Sequence, residues 1–157
     1  MEFNEEKMIS HLAGMVRFAT VSDPDPDKMD FETFRQLHAY LEETYPLLHR
    51  TLKKKVIGHA ALLYKWEKKG DGKNNRLPIL LAAHMDVVPE GDHAGWKYPP
   101  YDGTIEDGVL IARGSSDCKA RIMAHMEAIE ELIREGFEPE CDIYLAYGYN
   151  EEVASSC

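Results

Sequence analysis

The chain has 157 residues, 44% of them hydrophobic and 29% charged, values typical of a globular domain with its own core. Its formal net charge of -10, with no basic stripe to offset it, disfavours nucleic acid as a partner. No apolar run is long enough to span a bilayer, and acidic residues stand where a secretory signal carries basic ones. We therefore expect a cytoplasmic protein that binds neither nucleic acid nor a membrane.

The N-terminal half predicts two helices and then two strands. Apolar residues at helical spacing predict a helix over residues 5–17. Asp30 is suited to cap a second helix, and Pro46 marks the end of that helix. Apolar and β-branched residues predict strands over residues 51–57 and 60–67.

The C-terminal half alternates strands with a long helix. Residues 70–75 are a predicted loop, and the continuous apolar run 77–83 predicts a strand that is buried on both faces. Residues 104–111 predict a short hairpin, residues 118–135 a helix, and residues 141–147 another strand. This alternation favours an α/β sandwich.

Three polar motifs follow predicted strands or turns: His84-Met85-Asp86, the run 113–119, and Asn150-Glu151-Glu152. Ligands and catalytic groups gather at the carboxyl ends of strands in an open α/β sheet. One imidazole and several carboxylates that converge there predict a first-row metal site. A spare glutamate beside that site indicates metal-assisted hydrolysis.

Each of these residues also has a simpler interpretation. Asp86 could hold the second ring nitrogen of His84, or both could be idle polar residues at a strand end. Asp117 could bridge two metals through its two oxygens, or it could cap the helix that follows. Glu151 and Glu152 diverge on extended backbone, so one could bind metal while the other moves a proton, or both could belong to an acidic loop.

The residues next to Asp117 offer a further alternative. Cys118 near a helix N-terminus could be a nucleophile, but His125, two helical turns further on, is too far away to serve as its base. Lys119 and Arg113 are cations close to the motif, or else ordinary surface charges.

Four stretches, in family order and spacing, carry a resemblance to known enzymes: residues 83–89, 96–103, 107–119 and 148–153. They resemble the co-catalytic zinc amidohydrolases and exopeptidases, which include aminoacylase, carboxypeptidase S, succinyl-diaminopimelate desuccinylase and glutamate carboxypeptidase. The carboxypeptidase S branch is the most similar.

The resemblance implies a role for five residues. His84 would bind one zinc, Asp117 would bridge two, and Glu152 would bind the other. Glu151 would be the general base and later the proton donor, and Asp86 would orient His84. In the family each zinc takes one more protein ligand from beyond the matched positions. Co²⁺ or Mn²⁺ would suit the same ligand types.

The resemblance also implies a three-layer α/β/α sandwich with a mostly parallel central sheet, incomplete at its C-terminal side. Residues 1–157 would be the N-terminal part of the catalytic domain, without the lid or dimerisation domain. The full-length enzyme, expected as a homodimer, would hydrolyse an amide or peptide bond next to a free carboxylate, in a small peptide or an N-acyl amino acid. We expect the isolated chain to be inactive and to expose apolar surface. The alternative is a non-catalytic short form that binds metal or a protein partner.

The chain departs from the family pattern near the motifs. Cys118 stands where a second aspartate is usual, Asn150 where aspartate is common, and Ala120 and Ala154 where glycine is common. In the family the peptide bond after the residue matched by Asp117 is often cis.

Overall fold

The computed structural model describes residues 3–69 and 76–153. The helices are α1 (Glu5–Met15), α2 (Phe31–Thr44), α3 (Pro46–Thr51) and α4 (Ala120–Arg134). The strands are β1 (Lys53–Ile57), β2 (Ala61–Trp66), β3 (Ile79–His84), β4 (Thr104–Glu106), β5 (Val109–Ile111) and β6 (Ile143–Gly148). The predicted loop at 70–75 and the departure at Ala154 lie outside the described residues.

Helices α2 and α3 show how local sequence sets element boundaries. Asp30 caps α2 as predicted, since its carboxylate accepts hydrogen bonds from the main-chain N–H groups of residues 32 and 33. Pro46 ends α2 but also begins α3, a helix that the sequence did not predict. Proline suits a first helical turn. The carboxylate of Glu130 also accepts hydrogen bonds from the N–H groups of Leu47 and Leu48, at 3.0 and 2.7 Å.

The main sheet has the order β1-β2-β6-β3. The pairs β1/β2 and β2/β6 are antiparallel, and the pair β3/β6 is parallel. The α/β class is therefore confirmed, whereas the expected mostly parallel sheet is mixed. The reason is local: only a three-residue turn separates β1 from β2, too short for the crossover that a parallel pair requires.

Helices cover one face of this sheet. The inward side chains of β2 and β6 alternate with half-buried ones and join a single core with residues of the helices: Phe34, Leu37, Leu41, Leu48, Leu62, Tyr64, Trp66, Ile122, Met126, Ile129, Leu145 and Tyr147. The opposite face, which a second helical layer would cover in a three-layer sandwich, has no helix on it among the described residues.

Strand β3 is consequently not buried on both faces, and that prediction was wrong. It lies at the edge of the described sheet, and Leu80 is 63% exposed on the uncovered face. Together with Leu63 and Ala146, Leu80 lines an open groove of about 610 Å³ that reaches His84. The exposed apolar surface expected from the sequence is therefore present on this face. Within residues 3–69 and 76–153, no helix is long and apolar enough to cross a membrane.

The core face of α2 also contains a histidine. His38 is 7% exposed, and its Nε2 has no hydrogen-bond partner among the described residues. Burial, together with the nearby charge of Lys54, lowers the pKa of His38 to about 4. The imidazole is therefore neutral in the folded protein near pH 7.

Acid should weaken the fold through His38. Because the pKa rises from about 4 in the folded state to about 6.5 in the unfolded state, protonation favours unfolding. The stability linked to the neutral imidazole is fully present above pH 6.5. It is lost as the pH falls towards 4, which lowers the unfolding free energy by up to about 3 kcal/mol. Denaturant titrations of the full-length protein at several pH values should show a smaller acid-side loss of unfolding free energy in His38→Gln than in wild type.

His93→Gln is the matched control, because the His93 side chain is exposed and its ion pair with Glu90 lies at the surface. It should retain most of the acid-side loss of unfolding free energy that His38→Gln removes. An identical slope in His38→Gln and wild type would show that His38 does not act in this way.

Candidate metal centre

The parallel pair β3/β6 brings two of the polar motifs together. His84 ends β3 opposite Gly148, the last residue of β6, and the N–H of Met85 bonds the Gly148 carbonyl at 2.8 Å. Glu151 and Glu152 follow β6 by three and four residues. The imidazole and both glutamates therefore lie at one end of the sheet, where the carboxyl ends of parallel strands meet.

Asp117 arrives from the turn Ser115–Lys119, which joins β5 to α4. Gly114 opens the turn with φ of 79°, and Asp117 has extended backbone with φ of -117° and ψ of 100°. The Asp117–Cys118 peptide bond is cis, as is common in the family that the motifs resemble. Helix α4 has Lys119, not Asp117, at its N-cap position, so the helix-cap interpretation of Asp117 was wrong.

The ring of His84 faces two carboxylates. Its Nε2 lies 3.1 Å from Oδ1 of Asp117 and 3.7 Å from Oε2 of Glu151. The histidine side chain is only 9% exposed, whereas those of Asp117 and Glu151 are 77% and 56% exposed. A nearly buried nitrogen thus points at carboxylate oxygens that are open to solvent, which is an arrangement that can accept a cation.

Asp86 lies beneath the ring on the Nδ1 side. Nδ1 of His84 is 3.1 Å from the Asp86 carbonyl oxygen and 3.4 Å from its Oδ1. Asp86 is fully buried, and its Oδ2 accepts the Glu152 N–H at 3.0 Å. Burial alone would raise the pKa of Asp86, but the nearby His84 ring and the hydrogen bond from the Glu152 N–H hold it below the usual value.

Charge at the site is dominated by carboxylates. The contacts with Asp86 and then Cys118 raise the pKa of His84 to about 11. Burial, followed by the charge of Asp117, raises the pKa of Glu152. The negative charge of neighbouring carboxylates contributes to both shifts, although burial is the leading cause for Glu152.

The residues that follow α1 form hydrogen bonds with the buried residues next to the site. The sequence did not reveal these contacts. The Thr20 hydroxyl donates to the Met85 carbonyl at 2.6 Å, and the N–H of Val87 donates to the Thr20 carbonyl at 3.0 Å. The Lys119 ammonium donates to the Phe18 carbonyl at 2.6 Å. Lys119 is fully buried, which lowers its pKa to about 7, so the interpretation as an ordinary surface charge was wrong.

Cys118 also has a place that the sequence did not predict. It is 1% exposed, and its sulfur contacts the main chain of His84, so a substrate cannot reach it as a nucleophile. Ligand atoms of His84, Asp117 and Cys118 lie within 4.8 Å of one another and form a group that could hold a metal ion. The Glu152 carboxylate, predicted as a ligand, is not part of this group of three.

Comparisons with known proteins agree with the motifs. The model of the peptidase family M20/M25/M40 matches residues 80–157. "Probable carboxypeptidase S-like 2" of Dictyostelium discoideum is 37% identical over 152 residues, which cover 96% of this chain and 29% of that protein. Carboxypeptidase S of Saccharomyces cerevisiae is 38% identical over 158 residues, with 94% and 27% covered.

The fold agrees with a solved structure as well. An M20 family metallo-carboxypeptidase from Sulfolobus solfataricus superposes with a TM-score of 0.68 at 24% identity, over 93% of this chain and 31% of that one. The chain therefore spans less than a third of the length of each of these three proteins.

Gly114 should be hard to replace, because it has positive φ and a Cβ there would lie 2.6 Å from Cγ1 of the buried Val87. A side chain in this conformation costs about 1–2 kcal/mol, and overpacking adds about 1–3 kcal/mol. Gly114→Ala should therefore lower the unfolding free energy of the full-length protein by about 2–5 kcal/mol in denaturant titrations.

Gly136→Ala separates the two costs. Gly136 has φ of 75°, and no described atom lies within 4 Å of its added Cβ, so only the backbone cost of about 1–2 kcal/mol applies. Equal losses in the two variants would contradict close packing between Gly114 and Val87.

Proposed function

Because the chain belongs to the peptidase family M20/M25/M40, we propose that it is the N-terminal part of the catalytic domain of a zinc-dependent hydrolase. The full-length protein cleaves an amide or peptide bond next to a free carboxylate. Its substrate is a small peptide or an N-acyl amino acid. The carboxypeptidase names of the two relatives at 37% and 38% identity support this substrate class.

One observation carries the proposal, namely the approach of His84 Nε2 to Oδ1 of Asp117 at 3.1 Å and to Oε2 of Glu151 at 3.7 Å. Imidazole nitrogen and carboxylate oxygen are ligands that zinc accepts, and the carboxylate excess would be neutralised by a divalent cation. In the proposal His84 would hold one zinc, Asp117 would hold both, and Glu152 would hold the other. When bound, zinc would supply Lewis acidity for polarising the scissile carbonyl and for lowering the pKa of a water molecule.

Glu151 is the general base in this proposal. More than half of its side chain is exposed, so its carboxylate is free to meet a substrate, while it remains beside His84. The carboxylate takes a proton from the attacking water and later gives that proton to the nitrogen of the leaving amine. Glu152 is more buried, and its N–H is held by Asp86, which suits a fixed ligand better than a moving proton carrier.

Asp86 is a positioning residue for His84. Its carbonyl and carboxylate oxygens lie on the Nδ1 side of the ring and favour the tautomer that carries a proton there. Nε2, which faces Asp117, is then the nitrogen that would give up its proton when a metal ion binds. Burial keeps water away from this contact, so the ring orientation does not depend on solvent.

Glu151→Gln tests the assigned base. The amide cannot accept a proton, so kcat should fall by at least about 100-fold. Zinc content, measured by atomic absorption on the purified full-length protein, should stay at the wild-type level because this substitution leaves the assigned ligands unchanged. Wild-type turnover in this variant would refute the role of Glu151.

Glu152→Gln is the matched control, since it makes the same chemical change one residue further along. It should lower the zinc content as well as turnover, because it alters an assigned ligand. If Glu151→Gln lost zinc and Glu152→Gln kept it, the two roles would have to be exchanged.

A further inference from the structure

The thiol of Cys118 lies against the last residue of β3. Its sulfur accepts a hydrogen bond from the N–H of His84 at 3.1 Å and donates one to the carbonyl of the same residue at 3.3 Å. The cysteine is 1% exposed, so both contacts are shielded from water. One side chain therefore satisfies both main-chain polar groups of His84.

These two groups need such a partner because of the strand geometry. The N–H and carbonyl groups of successive residues in a strand point alternately to its two sides. The N–H of Met85 bonds β6, so the N–H and carbonyl of His84 point away from β6, towards the side on which no further strand is described. The thiol takes the place that a peptide group of a neighbouring strand would otherwise fill.

The contact with the thiol couples the positions of His84 and Asp117, which would otherwise be independent. Asp117 is bonded covalently to Cys118, and its own side chain is largely exposed, so its position depends on the main chain. His84 is held by the sulfur of the same cysteine. The thiol thus links the main chains that carry Nε2 of His84 and Oδ1 of Asp117, which are 3.1 Å apart.

We propose that Cys118 is a positioning residue that sets the separation of His84 and Asp117 for metal binding. The proposal rests on the function proposed above. It differs from a nucleophile, because no substrate can reach the sulfur, and from a metal ligand, because the hydrogen-bonding capacity of the thiol is directed at the His84 main chain. A cysteine at this position keeps a donor and an acceptor without adding a further buried charge.

The test compares Cys118→Ala, Cys118→Ser and the control Cys141→Ala in the full-length protein. Cys141 is a second buried, free cysteine that precedes β6, at the end of the strand away from His84. Zinc affinity, measured by competition with a chromophoric chelator, should fall about 10–100-fold in Cys118→Ala. Cys118→Ser keeps a donor and an acceptor and should restore part of the affinity, whereas Cys141→Ala should bind zinc like wild type.

A second readout needs no metal. Hydrogen exchange of the zinc-free proteins should show faster exchange in the peptide that contains His84 for Cys118→Ala, and not for Cys141→Ala. If Cys118→Ala fails to fold, Cys118→Ser is measured in its place and should show a smaller change of the same sign. Wild-type zinc affinity, or unchanged exchange at His84, in the folded Cys118 variant would overturn the proposal.

Cobalt separates the remaining outcomes. A sulfur-to-cobalt charge-transfer band in the Co²⁺-loaded wild type, absent in Cys118→Ser, would make Cys118 a ligand and so overturn its positioning role. No such band is expected. If the wild type bound neither zinc nor cobalt, the proposed function itself would fail. Zinc binding in wild type with equal affinity in Cys118→Ala would refute only the role of Cys118.

Discussion

The parallel pairing of β3 with β6 is the constraint on which the candidate site depends. Because His84 lies opposite Gly148 in this register, the residues that follow both strands leave the sheet at the same end. Glu151 can then approach the imidazole although the two residues are far apart in sequence. A slip of one residue would turn His84 to the other face of the sheet and separate it from both carboxylates.

Two layers of charge are stacked at this end of the sheet. Asp117 and Glu151 form an outer layer open to solvent, whereas Asp86 and Lys119 lie fully buried beneath it. A buried charge is costly unless hydrogen bonds or opposite charge compensate it, and here both contribute. Asp86 accepts a hydrogen bond from the N–H of Glu152. Its negative charge favours the protonated form of Lys119. The outer groups are therefore open to solvent and lie against His84, while Asp86 holds the N–H of Glu152 below them.

The sequence was most informative where chemistry and local geometry coincide. The cap at Asp30, the hairpin and the polar residues after the strands could be predicted because each depends on a few adjacent residues. The burial of Lys119 could not be predicted, because its ammonium bonds the carbonyl of Phe18, 101 positions away in the chain. An apolar run such as 77–83 suits a buried strand and an edge strand equally well, so the exposure of Leu80 depends on what packs on the sheet.

The most direct test of the metal centre is anomalous diffraction at the zinc edge, from crystals of the full-length protein grown with zinc. The account predicts a peak about 2.0–2.1 Å from Nε2 of His84 and about 2.0–2.2 Å from one oxygen of Asp117. A second peak should lie between the other oxygen of Asp117 and Glu152. Zinc bound elsewhere, with no peak between His84 and Asp117, would contradict the account.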